Sequence, residues 1–144
     1  MESRSTHFLL VEDNNAHAKL VILQLADPQA GITVDRVSDG SEALDYLQGK
    51  GSFASRSRRP DVVLLDLKLP KVDGHEVLRQ LKSDESLRTI PVVVLTTSTA
   101  HVDKTLAYEN FANSYLTKPL DFDKFQEMME SIKLYWSRWN QPVS

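Results

Sequence analysis

The stretch Pro60-Asp61-Val62-Val63-Leu64-Leu65-Asp66 holds an unbroken apolar run, Val62 to Leu65, preceded by Pro60-Asp61 and closed by a carboxylate. A run this short without polar alternation fits a strand buried on both faces, as in the middle of a parallel sheet. The same pattern recurs along the chain. Phe8-Leu9-Leu10-Val11 ends on Glu12 and Asp13, Val92-Val93-Val94-Leu95 ends on Thr96, and Tyr115-Leu116-Thr117 ends on Lys118.

Between these runs lie longer stretches of helical period. The pattern predicts strands near 7–11, 33–37, 61–65, 91–95 and 113–117, and helices near 14–27, 40–49, 74–84, 101–109 and 121–136. Five βα units in succession define an α/β protein with a parallel sheet and helices on both faces. Right-handed crossovers leave few topologies. The mixed strand Thr33-Val34-Asp35-Arg36-Val37 suits a sheet edge. Asp39-Gly40 and Asp73-Gly74 each open a helix, Asp121 is placed to cap the last one, and Gly49 to Pro60 forms a long Gly/Ser/Arg loop. The expected division is an N-terminal tail over 1–6, one domain over 7–136 and an aromatic C-terminal tail over 137–144.

Composition narrows the function classes. The 144 residues suit a single core, and 41% hydrophobic with 26% charged residues is ordinary for a globular protein. A net charge of −3 argues against broad nucleic-acid binding, and the Arg56, Arg58 and Arg59 cluster is read as a solvated loop. No apolar stretch approaches the ~20 residues needed to span a bilayer, and Met1 to Thr6 lacks the apolar segment of a secretory signal. The absence of Cys excludes disulfides, thiolate metal sites and a Cys nucleophile. These features fit a cytoplasmic protein without membrane or nucleic-acid partners. Gly49-Lys50-Gly51-Ser52 follows a helix and is not a phosphate loop, while His7, His17, His75 and His101 lack metal-ligand spacing and are assigned to the surface or its boundary.

In an open parallel sheet, ligands bind at the carboxyl ends of the strands where strand order reverses. Glu12, Asp13 and Asp66 belong at that edge. Three carboxylates in one pocket repel one another, and a hard divalent cation with oxygen ligands offsets that repulsion. Mg²⁺ fits best because it retains waters and accepts a phosphoryl oxygen; no soft ligand favours zinc or copper. Lys118 and Thr96 add a point charge and a hydroxyl that could hold phosphoryl oxygens. Asp66, alone at the end of a central strand, is the candidate nucleophile.

These residues resemble the receiver domain of bacterial two-component response regulators. Val11-Glu12-Asp13, Asp39-Gly40-Ser41-Glu42-Ala43-Leu44, Asp66-Leu67-Lys68-Leu69-Pro70-Lys71-Val72-Asp73-Gly74, Thr96-Thr97-Ser98 and Lys118-Pro119 stand at the family's places, and the match runs from about Phe8 to the last helix. The resemblance implies a flavodoxin-like strand order 2-1-3-4-5. It implies phosphoryl transfer from the phosphohistidine of a sensor kinase to Asp66. Asp13, Asp66 and the backbone carbonyl of Lys68 would ligate Mg²⁺, with Glu12 acting through a water. Lys118 would pair with Asp66 and then with the phosphoryl group. Thr96 and Tyr115 would form the switch, and Lys68 and Ser98 would set the phosphoryl lifetime. A cis Lys118–Pro119 bond is expected. Two positions depart from the family pattern: Glu12 replaces the usual Asp, and Phe111 stands where Gly is usual. Since Phe resists φ > 0, Asn110 is expected to close the preceding helix instead. The loop length and aromatic tail narrow the likeness to regulators of cyanobacterial-type phytochrome kinases, acting without an attached DNA-binding domain.

On the last helix, Phe122, Phe125, Met129, Ile132 and Trp136 step by three and four and form a core-facing stripe. Met128, Tyr135 and Trp139 form a second strip, readable either as a wider core contact or as a homodimer surface on the helix 4–strand 5–helix 5 face. Two other functions compete with the phosphoacceptor switch. One is an aspartyl-phosphate phosphatase, although Lys68 stands where such enzymes resembling the haloacid dehalogenase class place a second Asp. The other is a docking module independent of phosphorylation.

Overall fold

The computed structural model describes residues 4–55 and 58–142. Its strands are β1 (Thr6–Val11), β2 (Ile32–Val37), β3 (Val62–Leu65), β4 (Val92–Thr96) and β5 (Ser114–Thr117). Its α-helices are α1 (Asn15–Leu25), α2 (Gly40–Gln48), α3 (Gly74–Ser83), α4 (His101–Glu109) and α5 (Phe122–Leu134). Two short 3-10 turns, Pro28–Ala30 and Gly51–Phe53, and a π turn over Tyr135–Trp139 complete the order. Every strand pair is parallel. The sheet order is β2-β1-β3-β4-β5, the flavodoxin-like arrangement expected from the sequence.

Successive residues of a strand face opposite sides, so each central strand supplies two cores. Leu9, Val11, Val63, Leu65, Val92 and Val94 meet Ala43 and Leu47 of α2, Val77, Leu78 and Leu81 of α3, and Ala107 of α4. Phe8, Leu10, Val62, Leu64, Val93 and Leu95 meet Ala18, Val21 and Leu25 of α1 and Phe125, Met129 and Ile132 of α5. This is why β3 and β4 read as continuous apolar runs, whereas the edge strand β2 alternates. Three of the helix starts are capped by the predicted side chains: Asp39 Oδ1 accepts from the Glu42 N–H (2.8 Å), Asp73 Oδ2 from His75 (3.1 Å), and Asp121 Oδ1 from Asp123 (2.8 Å).

Several expectations need correction. Thr6 is buried as the first residue of β1. Phe122 is 53% exposed rather than part of the α5 core stripe, because the first turn of α5 projects beyond the sheet; Phe125, Met129 and Ile132 do form the stripe. His7 is buried, its Nδ1 2.7 Å from Thr33 Oγ1 and its Nε2 2.8 Å from Tyr46 Oη. Burial pushes the His7 imidazole below its ordinary value. No peptide bond among the described residues is cis, so Lys118–Pro119 takes the trans form that is intrinsically favoured by about 0.5–1 kcal/mol.

The end of α4 is the clearest departure. Asn110 stays at φ −93°, and Phe111 takes φ 68° in the left-handed region. The Phe111 N–H donates to the Tyr108 carbonyl (3.0 Å) and the Ala112 N–H to the Ala107 carbonyl (2.9 Å), the paired bonds of a Schellman ending. Ala107 and Ala112 are both buried in the same core layer, and their packing forces the reversal at residue 111. The ring of Phe111 is left 73% exposed. Phe111→Gly should therefore raise the stability to urea by about 1 kcal/mol through relief of the left-handed backbone; an unchanged or lower midpoint would contradict this account.

Candidate functional site

Strand register sets the site. Val11 is level with Val37 on one side and Leu65 on the other, and Leu65 is level with Val94. The ladder continues one residue further, with the Glu12 N–H donating to Val37 O (3.1 Å), Asp66 N–H to Val11 O (3.0 Å) and Lys118 N–H to Thr96 O (2.7 Å). Each polar side chain thus leaves the sheet at the same edge, where β1 separates connections running to opposite sides. Carboxylate oxygens of Glu12, Asp13 and Asp66 lie within 4.8 Å of one another. Asp13 is exposed, whereas Glu12 and Asp66 are only 2% and 8% exposed.

Lys118, itself 7% exposed, reaches back into this cluster. Its Nζ donates to Glu12 Oε1 in a very close contact and to Asp66 Oδ2 at 3.2 Å. Burial pushes the Glu12 carboxyl up, opposed by the bond from Lys118 and by the Asn14 N–H at 3.1 Å. Asp66 Oδ1 accepts from the Lys68 N–H at 3.3 Å, which ties the carboxylate to the loop after β3. Lys68 itself is exposed two residues beyond Asp66.

That loop is held by close backbone packing. A Cβ on Gly74 would lie 2.4 Å from the Asp66 carbonyl oxygen, and one on Gly40 would lie 1.8 Å from the Val72 carbonyl oxygen. Both helix starts therefore pack against the β3–α3 loop with no room for a side chain. Lys71, at φ 67° in the same loop, places its Nζ 3.6 Å from Asp39 Oδ2.

On the other side of the pocket, Thr96 is fully buried and its Oγ1 accepts from the Ser98 N–H (3.3 Å). Tyr115 is turned toward the β4–α4 loop, its hydroxyl donating to the Ser98 carbonyl (3.0 Å). Ser98 Oγ donates to Asp103 Oδ2 (2.6 Å), and His75 Nε2 lies 3.0 Å from Asp103 Oδ1. The Ser98 hydroxyl and then His75 hold the Asp103 carboxyl below its ordinary value. Thr96 and Tyr115 are thereby joined through Ser98 to the first turns of α3 and α4.

Residues that sequence reading did not single out complete the site. His17, assigned above to the surface or its boundary, is half-buried with Nδ1 3.1 Å from Lys118 Nζ. Its position one helical turn after Asp13 is the signal that could have found it. Arg36, next to last in β2, places Nε 2.9 Å and Nη2 2.7 Å from the Glu12 carbonyl oxygen, a fork that fixes the peptide leading into Asp13. Far from the pocket, Met128 is half-buried against the α5 core, while Tyr135 and Trp139 are 51% and 72% exposed.

A five-stranded sheet in this order, with an acid trio and a lysine at its carboxyl edge, is the arrangement of a receiver domain. The comparisons agree: the model for the response regulator receiver domain matches residues 8–130, and the chain belongs to that family. Among curated relatives, it is 54% identical over 136 residues to the probable methanogenesis regulatory protein FilR2 of Methanothrix harundinacea, covering 92% of this chain and 84% of that one. Among solved structures, it is similar to the phosphorylated cyanobacterial phytochrome response regulator RcpA, with a TM-score of 0.92 and 39% identity over 97% of this chain and 99% of that one. The Mn²⁺-bound form of response regulator Rcp1, a protein of Synechocystis sp., superposes with a TM-score of 0.87 and 36% identity over 96% of this chain and 99% of that one.

The donor set here, three carboxylates and no soft ligand, fits a hard divalent cation. Removing Lys118 would leave Glu12 and Asp66 buried without their cation. Lys118→Met should lose about 3 kcal/mol of stability in the presence of EDTA, and added divalent cation should restore more stability to the variant than to the parent chain. Equal urea midpoints in EDTA would show that the pair contributes nothing net.

Proposed function

We propose that this chain is a phosphoacceptor switch in which Asp66 receives a phosphoryl group from a sensor histidine kinase. The observation that carries this reading is the convergence of Glu12, Asp13 and Asp66 with the Lys118 ammonium on Asp66 Oδ2. One Asp66 oxygen attacks phosphorus, the P–N bond of the kinase phosphohistidine breaks with its electron pair passing to the imidazole nitrogen, and an acyl phosphate forms. Asp13, Asp66 and the Lys68 carbonyl would hold Mg²⁺, with Glu12 beside them, and the cation would supply positive charge to the phosphoryl oxygens. Lys118 supplies a second positive charge from the opposite side. Hydrolysis reverses the state: water attacks phosphorus, the P–O bond to Asp66 breaks and phosphate leaves. Lys68 and Ser98 flank the pocket and set the access of that water.

The signal leaves through Thr96 and Tyr115. Once a phosphoryl oxygen draws the Thr96 hydroxyl inward, the Ser98 N–H bond to Thr96 Oγ1 is lost and the Tyr115 bond to the Ser98 carbonyl is free to change. The receiver unit is assigned to the span from Thr6, the first residue of β1, to residue 136. Its output is docking on another protein and pairing with a second copy through α4, β5 and α5. The exposed rings of Tyr135 and Trp139 support that pairing. We assign the kinase to the phytochrome type on the likeness to RcpA. The higher identity to FilR2 favours a second reading, a kinase with a different sensor.

Incubation with acetyl phosphate and Mg²⁺ should give one stoichiometric phosphoryl adduct on Asp66, read by intact and peptide mass, and none in Asp66→Asn. Rapid turnover of phosphate esters would favour a phosphatase, and the lack of any adduct a docking module. In sedimentation, Tyr135→Ala and Trp139→Ala should shift the phosphorylated protein toward monomer; parental behaviour of both would remove that face from the dimer.

A further inference from the structure

An ammonium has three protons to donate and no acceptor. In this structure the partners of Lys118 Nζ are Glu12 Oε1, Asp66 Oδ2 at 3.2 Å and His17 Nδ1 at 3.1 Å. The first two are carboxylates with roles in the phosphoryl site. The third is a neutral ring nitrogen that no step above uses. Because Lys118 only donates, Nδ1 must present its lone pair, and the ring proton belongs on Nε2.

The backbone fixes this arrangement. His17 lies in the first turn of α1, and its own N–H is taken by the Asn14 cap (3.0 Å). Its ring borders a small cavity with Leu20, Lys118 and Phe125.

We propose that His17 is a positioning residue for phosphoryl capture, holding the third proton of Lys118 so that the ammonium stays aimed at Asp66. This inference rests on the phosphoacceptor reading. A neutral acceptor suits the task for an electrostatic reason. A fourth carboxylate here would add to the repulsion of Glu12, Asp13 and Asp66 and oppose an incoming phosphoryl dianion. An apolar side chain would leave the lysine tethered only by groups whose own bonding changes when phosphorus arrives. As Asp66 becomes an acyl phosphate, its attacking oxygen loses charge and becomes a poorer acceptor. The bond to His17 is untouched by that change.

The test compares the parent chain with His17→Leu, which fills the space without an acceptor, and His17→Asn, whose side-chain oxygen sits near the Nδ1 position. Under saturating Mg²⁺ and acetyl phosphate, His17→Leu should form the Asp66 adduct about tenfold more slowly, the loss of one charge-assisted hydrogen bond. His17→Asn should regain most of the rate. Calorimetric Mg²⁺ affinity should be the same in all three, since His17 touches no carboxylate in the structure, and the urea midpoint should fall only modestly in His17→Leu, by the worth of that one bond, and return in His17→Asn. Nitrogen-15 spectra of the unmodified parent should show the Nε2–H tautomer. Parental rates in His17→Leu, or no recovery in His17→Asn, would overturn the inference and leave Asp66 as the acceptor. A parent chain that forms no adduct would overturn both readings. An Nδ1–H tautomer would refute the placement without any phosphorylation.

Discussion

Two buried carboxylates share one buried ammonium at the carboxyl edge of this sheet, and the rest of the site is arranged around that fact. Glu12 and Asp66 end neighbouring strands, so sheet register alone brings them together. Lys118 comes from the far edge strand and crosses beneath the end of β4 to meet them. Withdrawing such charges from water costs several kcal/mol per ion, which only close pairing and further hydrogen bonds offset. The Asn14 and Lys68 amides and the His17 ring supply those extra bonds. A site so arranged is ready for a cation and a phosphoryl group because both meet groups already fixed in place.

The architecture was legible because the central strands announce themselves twice. Val62 to Leu65 is apolar enough for burial on both faces and then stops at Asp66, and Val92 to Leu95 does the same before Thr96. Caps such as Asp39 and Asp121 act through their own side chains and are local enough to read. What the sequence hid was long-range. His17 and Lys118 are 101 positions apart, and only the folded sheet brings the first turn of α1 over the end of β5. Arg36 is a polar residue of a mixed strand until register shows it beside the Glu12 carbonyl.

The misreading at residue 111 has an instructive cause. Local preference disfavours a left-handed Phe and offers Asn110 as the natural terminator. Tertiary packing wins because Ala107 and Ala112 must both enter the core, and only a reversal between them allows it. Phe122 was misjudged for a similar reason: its spacing matches the α5 stripe, but it lies at the helix start, where the sheet no longer covers it. Helical period shows which residues share a face; it does not show where the opposing layer ends.

Gly40 meets the carbonyl of Val72 with no side chain between them, and its N–H donates to the Pro70 carbonyl. Two loops separated by a whole strand and helix therefore share a single main-chain seam. A chimaera that imports α2 from a relative while keeping the native β3–α3 connection would have to match this seam to within a few tenths of an ångström. Segment exchange between these regulators should accordingly treat the span from Asp39 to Gly74 as one indivisible cassette.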